Sequence, residues 1–206
     1  MSEESTTSVY WPKINNVKAR FKIHSSDINS LRRSVLKFGV ETKKSFINST
    51  SSKKKRKKEI FKQYHNFCVI RGKHTYIVFT NNGVVNITGV RCLCLMAEAI
   101  KDFCLKFCVD ETKISQPIID NITATGHFRR PINLFKLKQL INNNGNTSKI
   151  TSVTSNCERF PSAFCRAVGL ATCSIFQEGS YNIIGAKCRR EIQELMKHMR
   201  VLIQKL

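Results

Sequence analysis

The sequence predicts an α+β chain of two pseudo-symmetric repeats, each an antiparallel sheet with helices on one face only. Three observations carry this. Residues 67–89 read FCVIRGKHTYIVFTNNGVVNITG and residues 164–185 read FCRAVGLATCSIFQEGSYNIIG, so an aromatic-Cys opening, a hairpin, a Phe, a glycine turn and a closing glycine recur in order. Each copy extends over about 90 to 100 residues, well beyond the ~20–50 of solenoid units, which implies two lobes rather than an array. Short β-prone runs and long amphipathic stretches also follow one another in the same order in both halves. With helices on one side of a sheet its other face is free, and two such sheets side by side make a long curved surface.

Each repeat opens with a strand, at 13–23 and at 117–126, where short β-prone runs end in polar or basic residues. Asp27-Ile28-Asn29-Ser30-Leu31 then starts a helix with Ile28, Leu31 and Val35 on one face. Asn133 caps its counterpart, which carries Leu134, Leu137 and Ile141 at helical spacing and stops at Asn144-Gly145. Strands follow at 66–71, 74–80 and 84–88 in the first copy and at 149–155, 162–168, 171–177 and 180–184 in the second. Gly72-Lys73, Asn81-Asn82-Gly83, Gly169-Leu170 and Glu178-Gly179 make the turns. A long amphipathic helix closes each copy. The first, 90–107, presents Met96, Ile100, Phe103 and Phe107; the second, 186–204, presents Ile192, Leu195, Met199, Leu202 and Ile203.

The organisation expected is a tail over 1–12, a first repeat over 13–108, a linker over 109–117 and a second repeat over 118–206. From Asn15 to Gly83 is 68 residues, against 58 from Asn121 to Gly179, and the surplus lies where Lys53, Lys54, Lys55, Arg56, Lys57 and Lys58 interrupt the first copy. Six consecutive bases cannot sit in a core. The block is a solvated loop, read as a nuclear-import signal, a phosphate clamp or a plain charged excursion.

A chain of 206 residues with 41% hydrophobic content can bury a real core. Its 35 Lys+Arg against 14 Asp+Glu leave a net charge of +21, more than solubility asks for, and point to a polyanionic partner, nucleic acid by default. Membrane is not expected, because no apolar run nears the about 20 residues of a spanning helix, and MSEESTTSVYW lacks a signal peptide's basic and apolar regions. A cytosolic or nuclear location follows. The nine cysteines are odd in number and sit in apolar runs such as RCLCLM and FCLKFC, so they read as reduced core thiols. Neither Cys92-x-Cys94 nor Cys104-x3-Cys108 gives zinc knuckles, and no metal or cofactor is expected. Nor is an enzyme: His24, His65, His74, His127 and His198 are scattered, with no triad, paired carboxylates or phosphate-cradling glycine loop.

DNITATGHFRRPINLFKL at 120–137, Glu158-Arg159-Phe160-Pro161, Ser174-Ile175-Phe176-Gln177-Glu178-Gly179 and Gly185-Ala186-Lys187-Cys188-Arg189-Arg190-Glu191-Ile192 together resemble the second repeat of the TATA-binding protein family. The first copy follows the same order more loosely, and the resemblance runs over 13–206. It implies a saddle, with a concave sheet on the DNA minor groove and convex helices for proteins. Recognition of this kind uses apolar wedges that unstack base steps, a small uncharged floor and a basic rim.

By this resemblance Phe160 and Phe176 are the wedges of the second repeat. Phe79 is one of the first, since Phe67–Phe79 and Phe164–Phe176 are equal intervals. Gln63 stands where the fourth is due, with Tyr64 next to it and Phe61 two residues before, and Tyr64 is taken as the candidate. Phe67 and Phe164 are expected in the core. On the floor, Asn15 and Asn121 match the family's paired asparagines, Val17 and Thr123 its small residues, and Thr88 and Ile184 the positions before the closing glycines. Asn86 and Asn182 replace family valines, which implies an altered site tolerant of the guanine amino group unless both lie at a sheet edge. Arg91, Arg129, Arg130, Lys187, Arg189 and Arg190 are the implied phosphate contacts. Glu158 remains of the surface that meets the B-type general transcription factor. The implied protein is a promoter-binding, DNA-bending initiation factor that meets double-stranded DNA and the RNA polymerase machinery in a nucleus or a viral replication compartment. The divergence, with abundant Lys, Asn and Ile, suits a fast-evolving lineage such as a large DNA virus. The alternative is a saddle-shaped interaction protein that binds transcription components without kinking DNA.

Overall fold

A computed structural model describes residues 11–48, 60–64, 66–143, 150–156 and 160–206, with the backbone alone at 25, 42, 45–48, 155, 156 and 160. The basic block Lys53–Lys58, Glu158 and the Asn144-Gly145 stop lie outside the described residues. The chain forms two compact units, residues 16–120 and residues 121–206 joined by 11–15.

The first unit is built from β1 (Lys13–Lys22), α1 (Ile28–Asn48), β2 (Ile60–Gln63), β3 (Phe67–Arg71), β4 (Thr75–Phe79), β5 (Val84–Val90) and α2 (Met96–Phe107). The second comprises β6 (Ile118–His127), α3 (Leu134–Asn143), β7 (Ile150–Asn156), β8 (Phe160–Ala167), β9 (Thr172–Phe176), β10 (Ser180–Ala186) and α4 (Arg189–Gln204). Each is strand, helix, four-strand meander, helix, and in each the opening strand lies beside the last, giving the antiparallel orders β2-β3-β4-β5-β1 and β6-β10-β9-β8-β7. β2 is the strand that the sequence reading leaves out. It pairs Ile60–Gln63 with Arg71–Cys68 and is the counterpart of β7. The stretch 109–117 packs on the first unit, where Ile114 bridges Ile23 and the Ser115 N–H donates to the Lys22 carbonyl at 2.8 Å.

One face of each sheet is covered. In the first unit Val17, Ala19, Phe21, Ile70, Tyr76, Val78 and Ile87 are buried against Leu31 and Val35 of α1 and Phe103 and Phe107 of α2. In the second, Ile122, Ala124, Cys165, Ile175, Tyr181 and Ile183 are buried with Leu137 and Ile141 of α3 and Ile192, Leu195 and Met199 of α4. Asn133 caps α3 as expected, its Oδ1 accepting from the Lys136 N–H at 3.0 Å. Gly179 shows why its turn needs glycine. It has φ +99°, and an added Cβ would collide with the Arg130 carbonyl oxygen.

Cys92 and Cys94 form a disulfide just after β5, which corrects the expectation of nine reduced thiols, while Cys68, Cys104, Cys108, Cys165, Cys173 and Cys188 are free. Burial pushes the thiols of Cys68 and Cys104 up to about 11 and that of Cys165 to about 12, and raises that of Cys173 well above its ordinary value. Groups raised in the fold contribute stability that is whole below their unfolded value of 9.0 and is lost as pH rises through the folded values. The urea midpoint should therefore hold steady from pH 6 to 8 and fall progressively from about pH 9 to 12. A Cys165→Ala/Cys173→Ala variant should show a shallower fall.

Candidate nucleic-acid interface

Strand pairing fixes which side chains lie on the uncovered face of each unit, because a sheet alternates with period 2. In both units the strand before the last helix carries a bulge opposite the opening strand: the register slips between Val17 and Ala19 against β5 and between Ile183 and Ala186 against β6. Gly89 (φ +87°) and Gly185 (φ +98°) form these bulges. The Gly185 N–H donates to Asn121 Oδ1 at 2.7 Å. In the first unit the Gly89 N–H at 2.8 Å and the Thr88 hydroxyl at 3.2 Å donate to Oδ1 of Asn16, not of Asn15. The asparagines that correspond, each bound to its bulge glycine, are therefore Asn16 and Asn121.

That one-residue shift corrects two expected floor positions. Val17 is fully buried on the helix side, and Lys18 takes the place that Thr123 holds in the second unit. Behind Lys18, Arg20 and Lys22 continue the same row, where the second unit has Thr125 and His127. Thr88 is half-buried and Ile184 is 48% exposed. Asn86 lies between Arg20 and Ile77, and Asn182 between Thr125 and Ser174. β5 and β10 are interior strands of their units, which removes the sheet-edge reading of this pair.

The aromatic residues sort by register as well. Phe79 pairs with Phe67, their rings 5.7 Å apart, and Tyr64 stacks on Phe67 at 4.7 Å and 20° while remaining 49% exposed. Tyr64 thus ends a three-ring row on the uncovered face. Phe61 pairs with Ile70 and meets Phe38 of α1, so it faces the helices and is not a wedge. Phe67 and Phe164 were expected in the core, but both are half-buried on the uncovered face, Phe164 opposite Ser174. The counterpart of Phe67 is Ser162, which pairs with Phe176. Phe79 and Phe176 still correspond, through Ile77 opposite Asn86 and Ser174 opposite Asn182. Phe160 begins β8 opposite Asn156; its side chain lies outside the described residues.

Around these faces, Arg91 and Lys187 are exposed at matching positions just after the bulges, and Arg189 and Arg190 are exposed in the first turn of α4. Arg129 is exposed with φ 60°, its N–H donating to His127 Nδ1 at 2.7 Å. Arg130 turns to the helix side. Its guanidinium donates to the Ile203 carbonyl at the end of α4, a favourable place for a cation and a correction to its expected phosphate role. At the β9–β10 turn the Ser180 hydroxyl donates to Glu178 and, with a backbone bond, holds that carboxyl below its usual range. Among the described residues no His/Cys/Asp/Glu group could hold a metal ion, and no helix is long and apolar enough to cross a membrane.

The family model "Transcription factor TFIID (or TATA-binding protein, TBP)" matches residues 116–206. No curated protein matches the chain. Among solved structures the chain is similar to Methanococcus jannaschii TBP, with 18% sequence identity, a TM-score of 0.62 and coverage of 96% of this chain and 100% of that one. At that identity the likeness establishes the fold. The expected fold class, two like α+β repeats of the TATA-binding-protein fold, is borne out.

Proposed function

We propose, for a chain that is TATA-binding-protein-like in its whole fold and in the sequence of its second half, that it is a non-enzymatic DNA-binding transcription initiation factor. It lays its uncovered sheet faces on the minor groove, bends the duplex and recruits the polymerase machinery in a nucleus or a viral replication compartment. The observation that carries this reading is the doubled face: bulge-bound Asn16 and Asn121, paired Asn86 and Asn182, and matched Phe79 and Phe176, on a protein of net charge +21. Asparagine is both donor and acceptor, so Asn86 and Asn182 can accept from the guanine N2 amino group that an apolar floor excludes. The sequence preference is accordingly broader than plain A·T. Fluorescence energy transfer between the ends of duplexes drawn from a randomised pool tests both parts. Bent complexes from selected sites that admit G·C support them; straight complexes would sink the bending, and a pure A·T consensus would sink the altered preference.

Arg189 and Arg190 support a phosphate-binding role in a particular way. Two cations in the first turn of α4 oppose the helix dipole, so they do not serve the fold. Replacing both by alanine should leave stability unchanged or slightly higher. Binding should weaken evenly across DNA sequences, and the slope of log K against log salt should fall by about 1.8, at about 0.9 per phosphate contact.

A reading as an interaction protein rests on the helix side. Leu36 and Val40, one turn apart on α1, are 48% and 53% exposed, and Phe135 on α3 is 69% exposed. Apolar groups held in water on that side suit protein partners, the B-type general transcription factor or its equivalent among them. Such contacts are compatible with DNA binding on the opposite face of each sheet.

A further inference from the structure

We infer that the first repeat reads its half of the DNA site through a line of cations, Lys18, Arg20 and Lys22, and the second through hydroxyls and amides. The chain consequently takes an asymmetric site in one direction. This deepens the proposed function and rests on it.

The row follows from β1 itself. Val17, Ala19 and Phe21 are 0 to 2% exposed on the helix side, so the intervening Lys18, Arg20 and Lys22 must share the uncovered face. Their counterparts in β6 are Thr123, Thr125 and His127. Across the sheet the contrast persists. Arg20, Asn86, Ile77, Val69 and Lys62 form one continuous line of paired residues; Thr125, Asn182, Ser174, Phe164 and Thr154 form the matching line of the second repeat.

Three like charges about 7 Å apart along one strand repel one another. Asp120 answers Arg20 at 3.4 Å, but among the described residues no carboxylate reaches Lys18 or Lys22. An anionic surface completes the row. Lysine and arginine donate hydrogen bonds and accept none, so they suit the acceptor-only floor of A·T pairs and have nothing to offer the guanine amino group. Asn86 brings an amide to the first repeat as well, but it stands beside Arg20. Asn182 stands between Thr125 and Ser174, whose hydroxyls both donate and accept, so it is the second repeat that takes mixed sequence. The first repeat therefore takes a half-site of A·T pairs only and the second a half-site in which G·C is allowed.

Site selection from duplexes randomised in both halves tests this. The intact chain should return an asymmetric consensus, confined to A·T pairs on one side only. Lys18→Thr/Arg20→Thr/Lys22→His should return two like halves, with the salt slope lowered by about 2 to 3. The reciprocal Thr123→Lys/Thr125→Arg/His127→Lys should confine both halves to A·T pairs, which keeps the test decisive should the first variant fold poorly. A consensus whose asymmetry survives both variants, in complexes that still bend, overturns the inference and leaves the proposed function standing. An intact chain that selects no sequence and bends no DNA overturns both.

Discussion

Alanine at both Phe79 and Phe176 will leave a protein that holds DNA but no longer bends it. The two residues correspond by strand register and lie half-buried on the uncovered faces, so neither is a pillar of its hydrophobic core. An apolar ring inserted between base pairs offsets the unstacking it causes. Aromatic contact with a base is worth about 1–3 kcal/mol by alanine substitution, so the pair should cost roughly 30-fold to about 25,000-fold in affinity for selected sites. What survives is polyelectrolyte attraction, linear in log salt and indifferent to sequence. Energy transfer between duplex ends should return to its value for free DNA. Tyr64, exposed at the end of the Tyr64–Phe67–Phe79 row, should behave as the remaining first-repeat wedge: Tyr64→Ala reduces the bend in part and Tyr64→Phe restores it. Bending unchanged in the Phe79→Ala/Phe176→Ala variant would remove the wedge mechanism and favour the interaction-protein reading.

The element order was legible because each repeat spells it with strong periodicity and does so twice. Leu31 and Val35, Phe103 and Phe107, and Ile192 and Leu195 are buried where helical spacing puts them. β2 was not legible. Its four residues, Ile60-Phe61-Lys62-Gln63, are mostly exposed and show no clean alternation, so only pairing with β3 reveals them. The site was harder for a related reason. Spacing cannot say which of two adjacent asparagines reaches a bulge, and a slip of one residue exchanges the faces of a whole strand, turning Lys18 outward and Val17 inward. In FCVI at 67–70 both alternating pairs are apolar, so Phe67 could be given to either face until its pairing with Phe79 is known. Asn86 and Asn182 were readable because a polar residue between buried Val85 and Ile87, or between Tyr181 and Ile183, can only point away from the helices. Arg130 was misread because its acceptor, Ile203, lies 73 residues away along the chain.

The largest loss of stability should come from Phe103→Ala. Phe103 is fully buried on α2, its ring 4.7 Å from Phe107, 5.3 Å from Phe21 and 5.4 Å from Tyr76, so it joins that helix to β1 and β4 at once. Truncating a buried Phe typically costs about 3–5 kcal/mol, a large share of the 5–15 kcal/mol available to an ordinary domain. The void also loosens Tyr76, whose hydroxyl donates to the Ala99 carbonyl at 3.1 Å and to Asp102 at 2.9 Å from the same helix. A lower urea midpoint for the first unit's own transition, with the slope of that transition unchanged, is the expected signature. Phe103→Leu, which keeps most of the volume, should recover more than half of the loss. The damage belongs to the first unit, and Trp11, the only tryptophan, lies in the second with its ring 4.9 Å from the Arg200 guanidinium. Helical circular dichroism should accordingly fall at lower urea than the Trp11 fluorescence changes. The consequence for DNA follows from β1: Phe21 packs on Phe103 from one side of the strand that carries Lys18, Arg20 and Lys22 on the other. Phe103→Ala should therefore erode the asymmetric site preference before it abolishes binding, whereas a destabilising Leu195→Ala in the second unit should spare the A·T-only half.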